Sequence, residues 1–138
     1  MTDEDIRTLF DGFDPADHEA EAQERWGDDA AFRQSAARTA QYTRADWARI
    51  RAEMDAITAD YVALLDAGAP PGGAAARAVA ARHRDHLHAA YYDVTPELLR
   101  GLAGLWVEDE RFARNIDRAR PGLAAYQRAA VLAWLDAE

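Results

Sequence analysis

Between Thr43 and Ala67 the apolar residues fall three and four apart, and this spacing constrains the fold more than any other feature of the sequence. Trp47, Ile50, Met54, Ile57, Tyr61 and Leu64 line one face of a helix, because successive residues turn by about 100°. Thr43, with Asp46 three residues on, reads as a capping-box-like start. Gly68, then Pro70 and Pro71, end the helix. Glycine takes the left-handed cap conformation, and proline cannot supply the next N–H. A helix this long with one apolar stripe must bury that stripe against other elements.

Those elements also read as helices. Alanine is abundant, β-branched residues are scarce and period-two alternation is hard to find. A second helix is predicted from about Ala74 to Tyr92, with Val79, His83, Leu87, Ala90 and Tyr91 near one face. Thr95 caps a third, with Pro96 at its first position, where the missing N–H costs nothing. Its inward face is read as Leu98, Leu102, Leu105 and Trp106. Asp109 caps a short helix carrying Phe112 and Ile116. Pro121 is placed in the first turn of the last helix, where Tyr126, Ala130, Ala133 and Trp134 face inward. Five helices suffice for an all-α domain.

The leading third differs in kind. Of a formal net charge of −9, residues 1–42 hold eleven Asp and Glu against four Arg, and every basic residue of the chain is Arg. Ile6, Leu9, Phe10 and Phe13 offer a short apolar face, but from Asp14 to Gln41 the only large apolar side chains are Trp26 and Phe32. Helices that bury so little gain little to offset their ordering entropy. Residues 1–42 are therefore expected to be a conditionally ordered lid segment on a core of residues 43–138 within a single domain. The acidic balance disfavours nucleic-acid binding by this chain alone. No apolar run reaches the roughly 18 residues of a membrane span, and the acidic start MTDEDIRTLF is unlike a signal peptide. A cytoplasmic protein is expected, with a monomer the simplest oligomeric reading.

Catalytic motifs are few. There is no cysteine, and Ser35, the only serine, sits in a polar stretch without a nucleophile elbow. His83, His86 and His88 form the one histidine cluster. His83 and His86 share a helix face and could ligate a metal if a carboxylate arrived from elsewhere, but the strong zinc spacings are missing. The plainer reading is a buried, hydrogen-bonded His83 with two solvated neighbours. Neither metal nor cofactor is expected. Gly101 and Gly104 fall inside a helix, where each costs about 1 kcal/mol relative to alanine. Close approach by another helix or by a ligand would account for them. Tyr91 and Tyr92, followed across a short turn by Leu98, Leu99 and Trp106, suit a large, partly polar organic molecule.

FDGFDP (10–15), ERWG (24–27), FRQS (32–35), YTRADW (42–47), LDAG (65–68), TPELLRGLAGLWVEDERF (95–112) and NID with ARPGLAAY (115–126) follow one another along nearly the whole chain. This ordered set resembles the TipAS family, the antibiotic-recognition domains of some MerR-type transcription activators. The resemblance implies a globin-like helix arrangement with a cleft for bulky antibiotics such as thiopeptides or albicidin. It also implies an N-terminal segment that folds over the occupied cleft. Carried over by position, the ligand residues are Phe13 and Trp26 from the lid, then His83, Leu87, Tyr91 and Tyr92, then Leu98, Leu99, Gly101 and Leu102. Some family members carry cysteine where Gly101 stands and capture dehydroalanine-bearing ligands covalently. Others carry histidine where Leu99 stands. With no thiol, binding here is expected to be non-covalent.

No basic helix-turn-helix is present and the chain starts with Met1, so it reads as a stand-alone binder or a fragment. The expected function is to bind and sequester, or sense, a bulky natural-product antibiotic, giving resistance or immunity. The −7 balance of the lid favours a neutral or cationic ligand. The alternatives are an enzyme on the same scaffold, using His83 with Tyr91 or Tyr92 for acid–base chemistry, and an acidic module that docks a basic protein.

Overall fold

The computed structural model describes residues 30–137. Its helices are α1 (Ala30–Thr39), α2 (Arg44–Asp66), α3 (Ala74–Ala90), α4 (Pro96–Glu108), α5 (Glu110–Asp117) and α6 (Leu123–Ala137). Among the described residues there is no strand. None of these helices is long and apolar enough to cross a membrane. Two compact units divide the chain. One takes in residues up to Glu53 with His86–Asp93, the other Met54–Asp85 with Val94–Glu138.

The helix ends follow local chemistry. At the start of α2 the Thr43 N–H donates to Asp46 Oδ2 at 2.9 Å, and the Asp46 N–H returns a bond to Thr43 Oγ1 at 3.1 Å. Two donors that the helix itself cannot use are thereby satisfied. Hydrogen bonding from the Thr43 backbone, then from its side chain, holds the Asp46 carboxyl below the ordinary aspartate range. At the other end Gly68 adopts φ +71°. Its N–H reaches the Leu65 carbonyl and that of Ala69 reaches Leu64, the pairing of a Schellman cap. Thr95 accepts from the Leu98 N–H, with Pro96 at the first helical position. Asp109 serves twice, donating its N–H to Leu105 to close α4 and accepting from Arg111 and Phe112 to open α5.

In the second unit α4, α5 and α6 pack on one another, and the rings of Tyr61, His83, Trp106 and Tyr126 meet in the core. Tyr61 is fully buried. Its hydroxyl lies 3.2 Å from His83 Nδ1, and its ring meets that of Tyr126 edge-on at 6.5 Å. His83 stacks on Trp106 with centroids 5.0 Å apart and planes 12° from parallel. Leu99, Ala103, Leu123, Ala130 and Val131 are buried with them. Tyr126 donates from its hydroxyl to the Ala69 carbonyl at 2.9 Å, tying α6 to the turn after α2.

Two boundaries differ from the sequence reading. Pro121 lies before α6 rather than in its first turn. Gly122 takes φ +90°, and the Asp117 carboxylate accepts the Ala124 N–H at 2.8 Å, so the helix opens at Leu123. α3 stops at Ala90, because the Tyr91 and Tyr92 N–H groups both turn back to the Leu87 carbonyl. α1 is a helix that the apolar pattern did not mark. Its Gln34 and Arg38 side chains are held by polar bonds to the end of α3 and the turn after it.

Candidate functional site

The first unit gathers an unbroken run of aromatic rings. Tyr42, just after α1, meets Trp47 on α2 edge-on at 5.4 Å. Trp47 lies 6.5 Å from Tyr91, which lies 6.4 Å from Tyr92. His86 approaches Tyr91 edge-on at 6.3 Å, with its Nδ1 3.5 Å from Glu53 Oε1. Trp47, Tyr91 and Tyr92 are half-buried. They therefore keep accessible edges and faces of the kind that hold planar, partly polar molecules. Burial, and the neighbouring Tyr42, push the Tyr91 phenol up to about 12. At neutral pH it is an uncharged hydroxyl.

The end of α3 that carries Tyr91 and Tyr92 is bound by α1. The Arg38 guanidinium donates to the His88 carbonyl at 2.6 Å and to Asp93 Oδ1 at 2.9 Å. Gln34 Oε1 accepts the Asp93 N–H at 2.7 Å. The Tyr42 hydroxyl donates to the Ala90 carbonyl. Hydrogen bonding from the Gln34 side chain, then from Arg38, holds the Asp93 carboxyl below the ordinary aspartate range. A carboxyl with a lowered folded-state pKa contributes stability above its unfolded value and loses it as pH falls through the folded one. The Arg38–Asp93 bond is thus expected to persist at neutral and mildly acidic pH and to weaken only below the ordinary carboxylate range. NMR signals of the Arg38 and Gln34 side chains, followed through an acid titration, check this.

In the second unit α4 presents two distinct faces. The sequence reading turned Leu98, Leu102 and Leu105 inward with Trp106. Instead Leu99, Ala103 and Trp106, at i, i+4 and i+7, form the buried face. Leu98, Leu102 and Leu105 are only half-buried, and Gly101 is exposed. These four lie about a third of a turn away from the buried stripe. A β-carbon at Gly101 would meet nothing within 4 Å, and one at Gly104 only its own helix's Glu108. Close helix packing therefore does not explain either glycine among the described residues. α4 carries more apolar surface than its core contacts use.

The residues singled out from sequence divide accordingly. Leu87, Tyr91 and Tyr92 belong to the first unit and are half-buried, Tyr91 beside Trp47 and His86. Leu98, Gly101 and Leu102 lie on the less buried face of α4. Leu99 is 1% exposed and His83 3% exposed, both inside the core of the second unit. The His83 ring is committed to Tyr61 and Trp106, which leaves the acid–base alternative without an accessible base there. Phe13 and Trp26 lie outside the described residues.

His86 was read as solvated and is 5% exposed. It falls three residues after His83 on the face of α3 that also carries Ala76, Val79 and Ala80, so one stripe buries both imidazoles. Among the described residues no three His, Asp or Glu side chains converge as a metal site. Tyr42 and Trp47 were missed as site candidates. Trp47 fitted the core stripe of α2, and only the meeting of α2 with the residues after α3 places it in the aromatic run. The open groove beside α5, about 500 Å³, is lined by Val107 and Ala113 with the charged Glu110, Arg114, Asp117 and Arg118.

Known proteins share this architecture. TipAS, solved in complex with nosiheptide and part of a thiopeptide antibiotic multidrug resistance system of Streptomyces lividans, matches with a TM-score of 0.94 and 45% identity over 99% of this chain and 96% of that one. The antibiotic-binding domain of a TipA-class multidrug resistance transcriptional regulator matches with a TM-score of 0.61 and 45% identity over 66% of this chain and 97% of that one. The class is therefore an all-helical antibiotic-recognition fold.

The family model of the TipAS antibiotic-recognition domain matches residues 18–134, and the chain belongs to that family. Among its relatives, the HTH-type transcriptional activator TipA of Streptomyces coelicolor is 47% identical over 96% of this chain and 53% of its own length. The HTH-type transcriptional activator mta of Bacillus subtilis is 33% identical over 94% of this chain and 52% of its own. The chain thus spans about half the length of the curated relatives it matches.

Proposed function

We propose that this domain binds a bulky thiopeptide-type antibiotic reversibly, sequestering it or reporting its presence. The observation that carries this reading is the fold match, at 45% identity along 99% of the chain, to a domain solved with nosiheptide. The ligand contacts assigned in the first unit are Leu87, Tyr91 and Tyr92, extended by Tyr42 and Trp47. On α4 they are Leu98, Gly101 and Leu102, with Leu99 and His83 supporting from the core. Phe13 and Trp26 are the contacts assigned to the leading segment, with residues 1–42 acting as its lid. Because the chain contains no cysteine, retention depends on non-covalent contact alone. A cytoplasmic setting, and a transcriptional role for any longer protein containing this domain, belong to the same proposal.

Four tryptophans, Trp47 among them, give the test an intrinsic signal. Titration with nosiheptide is expected to change tryptophan emission saturably, with a sub-micromolar Kd, and to slow proteolysis within residues 1–42. Unchanged emission together with unchanged cleavage would show that the domain is not a thiopeptide binder. Altered ligand mass after long incubation would favour the catalytic alternative.

A further inference from the structure

α3 ends with carbonyl groups that its own helix cannot satisfy. The Leu87 carbonyl takes the Tyr91 and Tyr92 N–H groups. Those of His88 and Ala90 are served from a segment about 50 residues earlier in the chain. Gln34, Arg38 and Tyr42 stand four residues apart, so α1 and its exit direct one row of polar side chains at a single target. Arg38 donates from Nη1 to the His88 carbonyl and from Nη2 to the Asp93 carboxylate. Gln34 accepts the Asp93 N–H, and Tyr42 donates to the Ala90 carbonyl. A cation at this place also suits the negative end of the α3 dipole.

The anchors at His88, Ala90 and Asp93 bracket Tyr91 and Tyr92 from both sides. We propose that α1 acts as the C-terminal cap of α3, and that Arg38, through this cap, is a positioning residue for the Tyr91–Tyr92 pair. This deepens the binding proposal, because it makes the geometry of the aromatic run depend on a segment of the leading third. The planar fork of arginine suits the task, since its two nitrogens reach two acceptors at once, which lysine's single ammonium cannot do in the same way. The role is one of orientation, and Arg38 need not touch the ligand.

The experiment has one arm without ligand and one with it. In ligand-free protein carrying labelled tyrosine, Arg38→Ala is expected to shift the ring signals of Tyr42, Tyr91 and Tyr92 while leaving Tyr61 and Tyr126 in place. Asp93→Asn, which keeps the shape but removes the charge, is expected to shift the same three rings by less. With nosiheptide, Arg38→Ala is expected to weaken binding about ten-fold, and Arg38→Lys to recover part of that loss. Unmoved Tyr91 and Tyr92 signals in Arg38→Ala overturn the inference. So do five tyrosines moving together with a lowered Tm, which would mark general destabilisation, or wild-type affinity in Arg38→Ala. If the wild-type chain fails to bind nosiheptide, the antibiotic reading falls, and the ligand-free arm still decides the cap.

Discussion

Gly101→Cys is expected to turn a reversible binder into one that keeps its ligand through denaturation. The native chain has no thiol, so a dehydroalanine-bearing thiopeptide mixed with it should leave the protein mass unchanged once the complex is unfolded. In the variant, a thiolate at position 101 adds to the dehydroalanine methylene carbon. A C–S bond forms, the π pair takes a proton at the α-carbon, and nothing leaves. The expected species has the summed mass of protein and ligand and approaches full occupancy on incubation. Space is not the obstacle, since a β-carbon at Gly101 meets nothing within 4 Å. Gly101→Ala is the control. It should bind without an adduct and should be stabilised by about 0.5–1 kcal/mol, as alanine replaces glycine in a helix interior. Denaturing mass spectrometry reads both variants. A Gly101→Cys protein that binds the ligand yet shows no adduct would remove position 101 from the ligand contacts.

Tyr61→Ala is expected to cost about 3–5 kcal/mol, the range for truncating a large buried aromatic side chain. Small domains hold only about 5–15 kcal/mol in total, so this single change should remove much of the stability. Tyr61 is fully buried and touches two of the rings around which the second unit is built, His83 through its hydroxyl and Tyr126 through its ring. Tyr61→Phe separates the two contributions. It keeps the ring and removes only the hydroxyl bond, and is expected to cost about 1 kcal/mol. Burial raises the Tyr61 phenol above the ordinary tyrosine range, so this bond is available throughout the neutral and moderately alkaline range. Urea unfolding of the three proteins gives the comparison. A Tyr61→Ala cost near that of Tyr61→Phe would show that the ring contributes little to the core.

Where a feature depended on residues adjacent in sequence, it was legible. The Thr43–Asp46 box, the Gly68 stop, the Thr95–Pro96 start and the Asp109 cap all formed as their side chains dictate, because each is closed within one helical turn. Periodicity identified the buried Ile50, Ile57 and Tyr61 for the same reason. The reading lost precision where two answers satisfied the pattern. On α4 leucines occupy two neighbouring faces, and composition alone cannot say which of them meets the core. On α3 one stripe holds two histidines, and burial of the second depended on its neighbours. Over α1 the apolar signal was weak, and the helix is secured by polar bonds to residues some fifty positions away.

By itself the sequence determined an all-α chain, the places where its main helices start and stop, and the family to which it belongs. These follow from local hydrogen bonding, helical periodicity and an ordered set of residue types. The tertiary structure alone decided that Trp47 joins Tyr42, Tyr91 and Tyr92, that His83 is committed to Tyr61 and Trp106, and that Arg38 closes the end of α3. Such pairings join residues far apart in the chain, and no local rule fixes them. They are settled only when helices pack and every buried donor, acceptor and ring must find a partner at once.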